Sequence, residues 1–437
     1  MKHRYAQGIV TGALILLLAG IPGCKPEIIA PQLSLGVLNT RQYKAFGDGY
    51  TAGFANTLPQ PFSAAGLYES AQSQAYPVLL ARQFQQIRRS EFNLPLAGAA
   101  GSGRLHLRKL WPPACTLIGP RLGTEAVAPE AGWLTPPGGE LHNLGLPYLE
   151  AGRLSPDSSH ISAVFFRRTF PDQPDYPAAA AAAAPEFFTL WLGTQDLLAY
   201  GVSGGDPAYL PPDPDAYGQE MDRLLRSILR EKPQTVRGLI GQVPDIVSFP
   251  YFSELRPVYR DPENCDAPPL PLYVQSPDGY VRFATEADHL LLPLRGSLGQ
   301  PNGLPEGLGL HPENPIPHAW VLDGEESARV QSLALAYNGK LDSLVSALDA
   351  ELGGGRLAAV GLHALFSSLA GGVTVDGIGI SSSYLDGGIF CLDGIYLTPR
   401  GQALVANAFI ERINGLPSFK AQVSPLNIAD FPGVIFP

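Results

Sequence analysis

Five short apolar runs, separated by segments with helical spacing, constrain this chain more than any other feature. Tyr43–Phe46 reads as a buried strand closed by Gly47-Asp48-Gly49. Phe92–Leu96 reads as a second strand, followed by the glycine-rich residues 97–103. Phe187–Leu192, closed by Gly193, then Val236–Val243 and Leu357–Phe366 complete the set. Between them, Pro77–Ile87, Ala216–Lys232 and Glu325–Leu352 carry apolar residues near a 3.6-residue period, for example Met221, Leu224, Leu225 and Ile228. A last helix is expected over Pro399–Ile413, with Thr398 as its cap and Pro399 in its first turn. Strands alternating with helices predict an α/β fold with a parallel sheet, whose ligands bind at the carboxyl ends of the strands.

The stretches from about 104–185 and 250–320 do not follow that pattern. They are proline-rich, and they hold more than half of the 43 prolines of this 437-residue chain. Both are expected to be large insertions with little regular structure. The alanine run Ala178–Ala184 is expected to be a linker or a single packed turn, since so short a helix is unstable alone. The net charge of −10, with no long basic run, argues against a nucleic-acid partner.

The N-terminus carries Lys2, His3 and Arg4, then the apolar run GALILLLAG from Gly12 to Gly20, then Ile21-Pro22-Gly23-Cys24. Residues 1–23 read as a secretory signal peptide, with an apolar stretch too short to span a bilayer. The last four residues resemble a bacterial lipobox. That resemblance implies lipidation of Cys24, a tether over 24–40 and a membrane partner through the lipid anchor. Lys25 after the cysteine points the resemblance to the outer membrane of a Gram-negative envelope. In an oxidising compartment Cys115 and Cys265, both in loop segments, are the preferred disulfide pair. Cys391 is expected to be a buried small hydrophobe.

Four blocks in chain order carry a further resemblance. Phe46-Gly47-Asp48-Gly49-Tyr50-Thr51-Ala52-Gly53 resembles the Gly-Asp-Ser-Leu block of the SGNH/GDSL hydrolases. The glycine-rich 97–103 stands at the family's second block. Gly193-Thr194-Gln195-Asp196 is similar to the Gly-x-Asn-Asp block, and Asp393-Gly394-Ile395-Tyr396 to the closing Asp-x-x-His. The resemblance spans 43–414, is strongest to long lipoprotein members from Bacteroidetes-type bacteria, and implies a three-layer α/β/α flavodoxin-like domain over 41–418 with a tail over 419–437.

The departures bear on function. Gly49 stands where the family has its nucleophilic serine, and Tyr396 where it has the histidine base. With an ordinary pKa near ~10, Tyr396 is a poor base at neutral pH. Gln195 replaces the asparagine that donates to the oxyanion, and Asp393 is the retained triad acid. Loss of nucleophile or base alone costs on the order of 10⁶ in rate. The expectation is therefore an inactive family member that keeps a binding cleft around Asp48, Gly193 and Asp196 for an acyl or glycan ligand, or a surface for a partner. Alternatives are an esterase or deacetylase using other residues, and a structural envelope lipoprotein in which Tyr396 plugs the cleft and bonds Asp393. Ser381–Ser383 offer hydroxyls without a base. Asp48, Asp196 and Asp393 could in principle hold a hard cation, but the resemblance gives Asp48 and Asp196 a structural role, so no metal or cofactor is expected. His311 and His318 lack compact ligand spacing.

Overall fold

The computed structural model describes residues 32–56, 66–97, 105–111, 119–124, 140–155, 160–261, 264 and 266–436. The expected signal peptide and lipobox with Cys24, the glycine-rich residues 98–103, Cys115 and Cys265 lie outside them. Strand β1 (Tyr43–Gly47) and helix α1 (Gly49–Ala52) come first, then α2 (Tyr76–Gln85). Helices α3 (Ser162–Thr169) and α4 (Tyr176–Ala182) precede β2 (Phe187–Trp191). Next come α5 (Thr194–Val202), α6 (Pro214–Leu229) and β3 (Arg237–Gly241). The chain continues through α7 (Gly324–Glu351), β4 (Leu357–Val360), α8 (Leu362–Leu369) and α9 (Pro399–Gly415).

The four strands pair in parallel in the order β1-β2-β3-β4, with Phe46 opposite Leu190 and Leu190 opposite Ile240. Every residue of β1 and β2 is buried, as expected for parallel strands covered on both faces. The protein is thus an α/β fold on a parallel sheet. Helices α4, α6 and α7 pack in series, and α2 packs on α9.

The segment beside β1 is a correction to the sequence reading. Phe92–Leu96 forms no strand. Instead His142–Leu146, from within the first proline-rich stretch, runs parallel to β1: Ala45 N donates to His142 O (2.9 Å), and Leu144 N to Ala45 O (2.8 Å). Lys44, fully buried, secures this register by donating to Glu140 Oε1 and Leu141 O, each at 2.7 Å. Phe92 stacks on Tyr43, with ring centroids 5.1 Å apart. The chain therefore winds outward from β1 in both directions. That places a topological switch point at the carboxyl ends of β1 and β2.

Three further differences have local causes. The alanine run forms most of α4: Asp175 caps it by accepting from Ala178 N (2.8 Å), and packing on α6 supplies what its length cannot. The last strand ends at Val360, and Gly361 turns the chain into α8, so His363–Phe366 are helical. Helix α5, unanticipated, begins at once after Gly193. Helices α6 and α7 lie where periodicity placed them, and α9 where the Thr398 cap and Pro399 placed it. Thr398 Oγ1 caps α9 by accepting from Gly401 N (3.2 Å), and Asp323 with Glu326 forms a capping box on α7.

Within 250–320, short antiparallel pairs surround a separate small core that includes Leu272, Val274, Leu290 and Ile316. Residues 33–437 form one compact unit. In it, Leu35 and Leu38 are buried near one end, as are Phe419, Val423 and Ile428 near the other, and Ser34 pairs with Gln422.

Candidate functional site

Strand β1 ends at Gly47, whose φ of +145° turns the chain out of the sheet. Asp48 then caps α1, its Oδ1 accepting from Tyr50 N at 3.0 Å. This puts Gly49 on the first turn of α1, at the switch point. A Cβ at position 49 would lie 2.9 Å from Tyr396 Cε1 and 3.3 Å from Phe54 Cβ. The Tyr396 ring thus occupies the space a side chain at 49 would need. Its centroid is 5.1 Å from both Tyr50 and Phe54, and its hydroxyl donates to Gln195 Oε1 at 3.3 Å. Gly49, Gln195 and Tyr396, far apart in sequence, therefore meet.

The Tyr396 phenol donates to Gln195 and not, as one alternative expected, to Asp393. Asp393 Oδ1 instead accepts from Ile395 N (2.8 Å) and Tyr396 N (2.7 Å), which shapes the turn that aims the ring. Tyr50 pins the same turn by donating to Ile395 O at 3.1 Å. The expected cleft beside Gly49 is filled: Gln195 is 4% exposed, Tyr396 3% and Asp393 1%. Phe54 and Tyr148, whose rings are 5.3 Å apart, close the position further.

Gly193 joins β2 to α5 at φ +113°, where a Cβ would sit 2.8 Å from both Tyr217 Cε2 and Val243 Cγ2. Replacing Gly193 with Ala is expected to cost about 3 kcal/mol, read as a lowered urea midpoint, because backbone strain and overpacking add. Asp196, in the first turn of α5, is a structural carboxylate. It accepts from Ala151 N through Oδ2 and from Gly152 N through Oδ1, both at 2.8 Å.

Burial sets the electrostatics. It pushes the Asp48 carboxyl up to about 8, with the Asp196 charge adding to the shift against the bond from Tyr50 N. Asp196 is raised too, by burial and then by Glu150. Burial also raises the Tyr396 phenol well above its usual value, helped by Tyr148 and Tyr50, so it is neutral at pH 7. The position therefore has no nucleophile at 49 and no group at 396 able to accept a proton from one. Among the described residues no cluster of three or more metal-capable side chains occurs. His311 Nδ1 accepts from Glu313 N (3.2 Å), His318 Nε2 lies 3.3 Å from Glu326, and Ser381 Oγ accepts from Ser383 N (3.2 Å).

Sequence reasoning missed Asn143 and Gly145. Asn143 Nδ2 donates to Thr51 O (2.8 Å) and its Oδ1 accepts from Gly145 N (3.0 Å), while a Cβ on Gly145 would lie 2.5 Å from Ala52 N. These two residues fasten α1 to the sheet edge. The only signal was His142-Asn143-Leu144-Gly145, a turn-like tetrad inside a proline-rich stretch.

The fold and site define an α/β protein with a closed, aromatic-filled switch point. No model of a known protein family matches the chain, and no curated protein does. Among solved structures, it is similar to a Parabacteroides merdae protein assigned as a GDSL-like lipase. The two are 9% identical with a TM-score of 0.35, over 88% of this chain and 99% of that one.

Proposed function

We propose that this chain is a catalytically inactive SGNH/GDSL-hydrolase-like lipoprotein, with a three-layer α/β/α frame and a Cys24 lipid anchor in an outer membrane. The observation that carries the loss of catalysis is the Tyr396 ring standing where a nucleophile's side chain at position 49 would be. Gly49, Gln195 and Tyr396 lie together, which supports the reading, and neither a hydroxyl nor an imidazole stands at positions 49 and 396 to act as nucleophile and base. Closure of that position favours a role in envelope architecture or partner binding over ligand capture beside Gly49.

Residues 25–437 are expected to hydrolyse p-nitrophenyl acetate no faster than an unfolded control. Losing nucleophile and base removes on the order of 10⁶ in rate. Turnover well above that control in the parent chain would sink the proposal. The triple variant Gly49→Ser, Gln195→Asn, Tyr396→His is expected to stay at that background, because Phe54 and Tyr148 still close the position to a substrate. For the anchor, incorporation of labelled palmitate by the full chain is expected to vanish in Cys24→Ser.

A further inference from the structure

A cavity of about 500 Å³ is lined in part by Cys391, Leu392, Leu397 and Thr398, which flank Asp393–Tyr396 in the chain. Neither Gly49, Gln195, Asp393 nor Tyr396 lines it, so it is distinct from the closed switch point. Its walls include Ala55, Ala71, Leu105, Leu392, Leu397 and Val434, and among the described residues no Asp, Glu, Lys, Arg or His lines it. Ala55, Tyr68, Cys391 and Ala71 there form an apolar cluster separate from the main core.

The polar side chains inside are committed to the fold. Asn56 donates to Tyr68 Oη (2.9 Å) and accepts from Leu392 N (3.1 Å). Thr398 Oγ1 donates to Gly388 O (2.8 Å), and Gln402 Oε1 accepts from Tyr76 N (2.9 Å). A charged ligand would lose its hydration here without meeting a counter-charge. A sugar would find most donors and acceptors already used, leaving its hydroxyls unpaired. An apolar occupant brings no polar group of its own that needs a partner. Exposed Ser70 and half-buried Gln74 give the cavity a polar rim.

Size points the same way. Interiors are normally packed with few voids larger than a water molecule. An apolar cavity of ~150 Å³ takes up one benzene, and this one is about three times larger, inside the ~300–1,000 Å³ range of ligand sites. We infer that this cavity binds a single apolar chain of the acyl class, with any polar head at the Ser70 and Gln74 rim. The inference does not depend on whether the chain hydrolyses esters.

The test uses residues 25–437, which contain the whole compact unit Leu33–Pro437. The neutral dye N-phenyl-1-naphthylamine is expected to show a saturable gain in fluorescence, reversed by 1-dodecanol and not by glucose. Ala71→Phe, which fills the cavity, is expected to weaken dye binding on the order of tenfold or more. Independently, 1-dodecanol is expected to slow alkylation of the Cys391 thiol, followed by peptide mass. Fluorescence that never saturates, or binding unchanged in an Ala71→Phe variant with the parent's urea midpoint, overturns the inference. Should that variant fail to fold, Cys391 alkylation decides: a rate unaffected by dodecanol overturns it equally.

Discussion

Gly49→Ser is expected to lower stability by about 1–3 kcal/mol, the usual cost of forcing atoms into a filled core. The Cβ alone would stand 2.9 Å from the Tyr396 ring, before any hydroxyl is placed. Tyr396→His is also expected to destabilise, by about 2 kcal/mol or more, since it removes ring contact with Tyr50 and Phe54 in a buried setting. The double variant should cost less than the sum. The smaller imidazole vacates the space that a serine side chain at position 49 needs, so a favourable coupling of about 0.5–3 kcal/mol is expected. Urea denaturation of the parent, both single variants and the double variant closes the cycle. Strict additivity would mean that position 49 and the Tyr396 ring do not share space, which would remove the central observation behind the proposed loss of catalysis.

Asp48→Asn is expected to change how stability depends on pH. The folded-state carboxyl is raised to about 8, far above an unfolded value near ~3.9. For an acid shifted upward, the neutral form is favoured by folding. Its contribution is full below about pH 4, declines as pH rises from about 4 towards 8, and is lost above that. At about 1.4 kcal/mol per unit, that decline is of order 5 kcal/mol at most. Asparagine keeps an oxygen to cap Tyr50 N but cannot ionise. The variant should therefore match the parent near pH 4 and exceed it by several kcal/mol at pH 9. Asp196, raised in the same direction, leaves it a residual slope. Parallel pH profiles for parent and variant would contradict the buried, uncompensated Asp48.

These expectations show how unevenly the site was written in the sequence. The blocks around Gly49, Gln195 and Tyr396 could be ordered along the chain, and the structure brings those three positions together. What each does there was not legible. The phenol of Tyr396 bonds Gln195 rather than Asp393, whose Oδ1 is engaged with the backbone of its own turn. The space for a cleft beside Gly49 was likewise unreadable, since it depends on where Phe54, Tyr148 and Tyr396 converge.

The parallel α/β class, the three long helices α6, α7 and α9, and the cap of α9 at Thr398 could be read along the chain. Those features rest on periodicity and on hydrogen bonds between near neighbours. Long-range packing set His142–Leu146, not Phe92–Leu96, beside β1, and turned an alanine run inside a proline-rich stretch into a helix. It alone decided that Tyr396 fills the space at position 49. Each of these outcomes depends on groups that meet only in the folded chain, such as Lys44 with Glu140 across 96 positions and Tyr396 with Gln195 across 201. Burial makes such contacts decisive, because a buried lysine or phenol without a partner is costly, and no local pattern records which partner it finds.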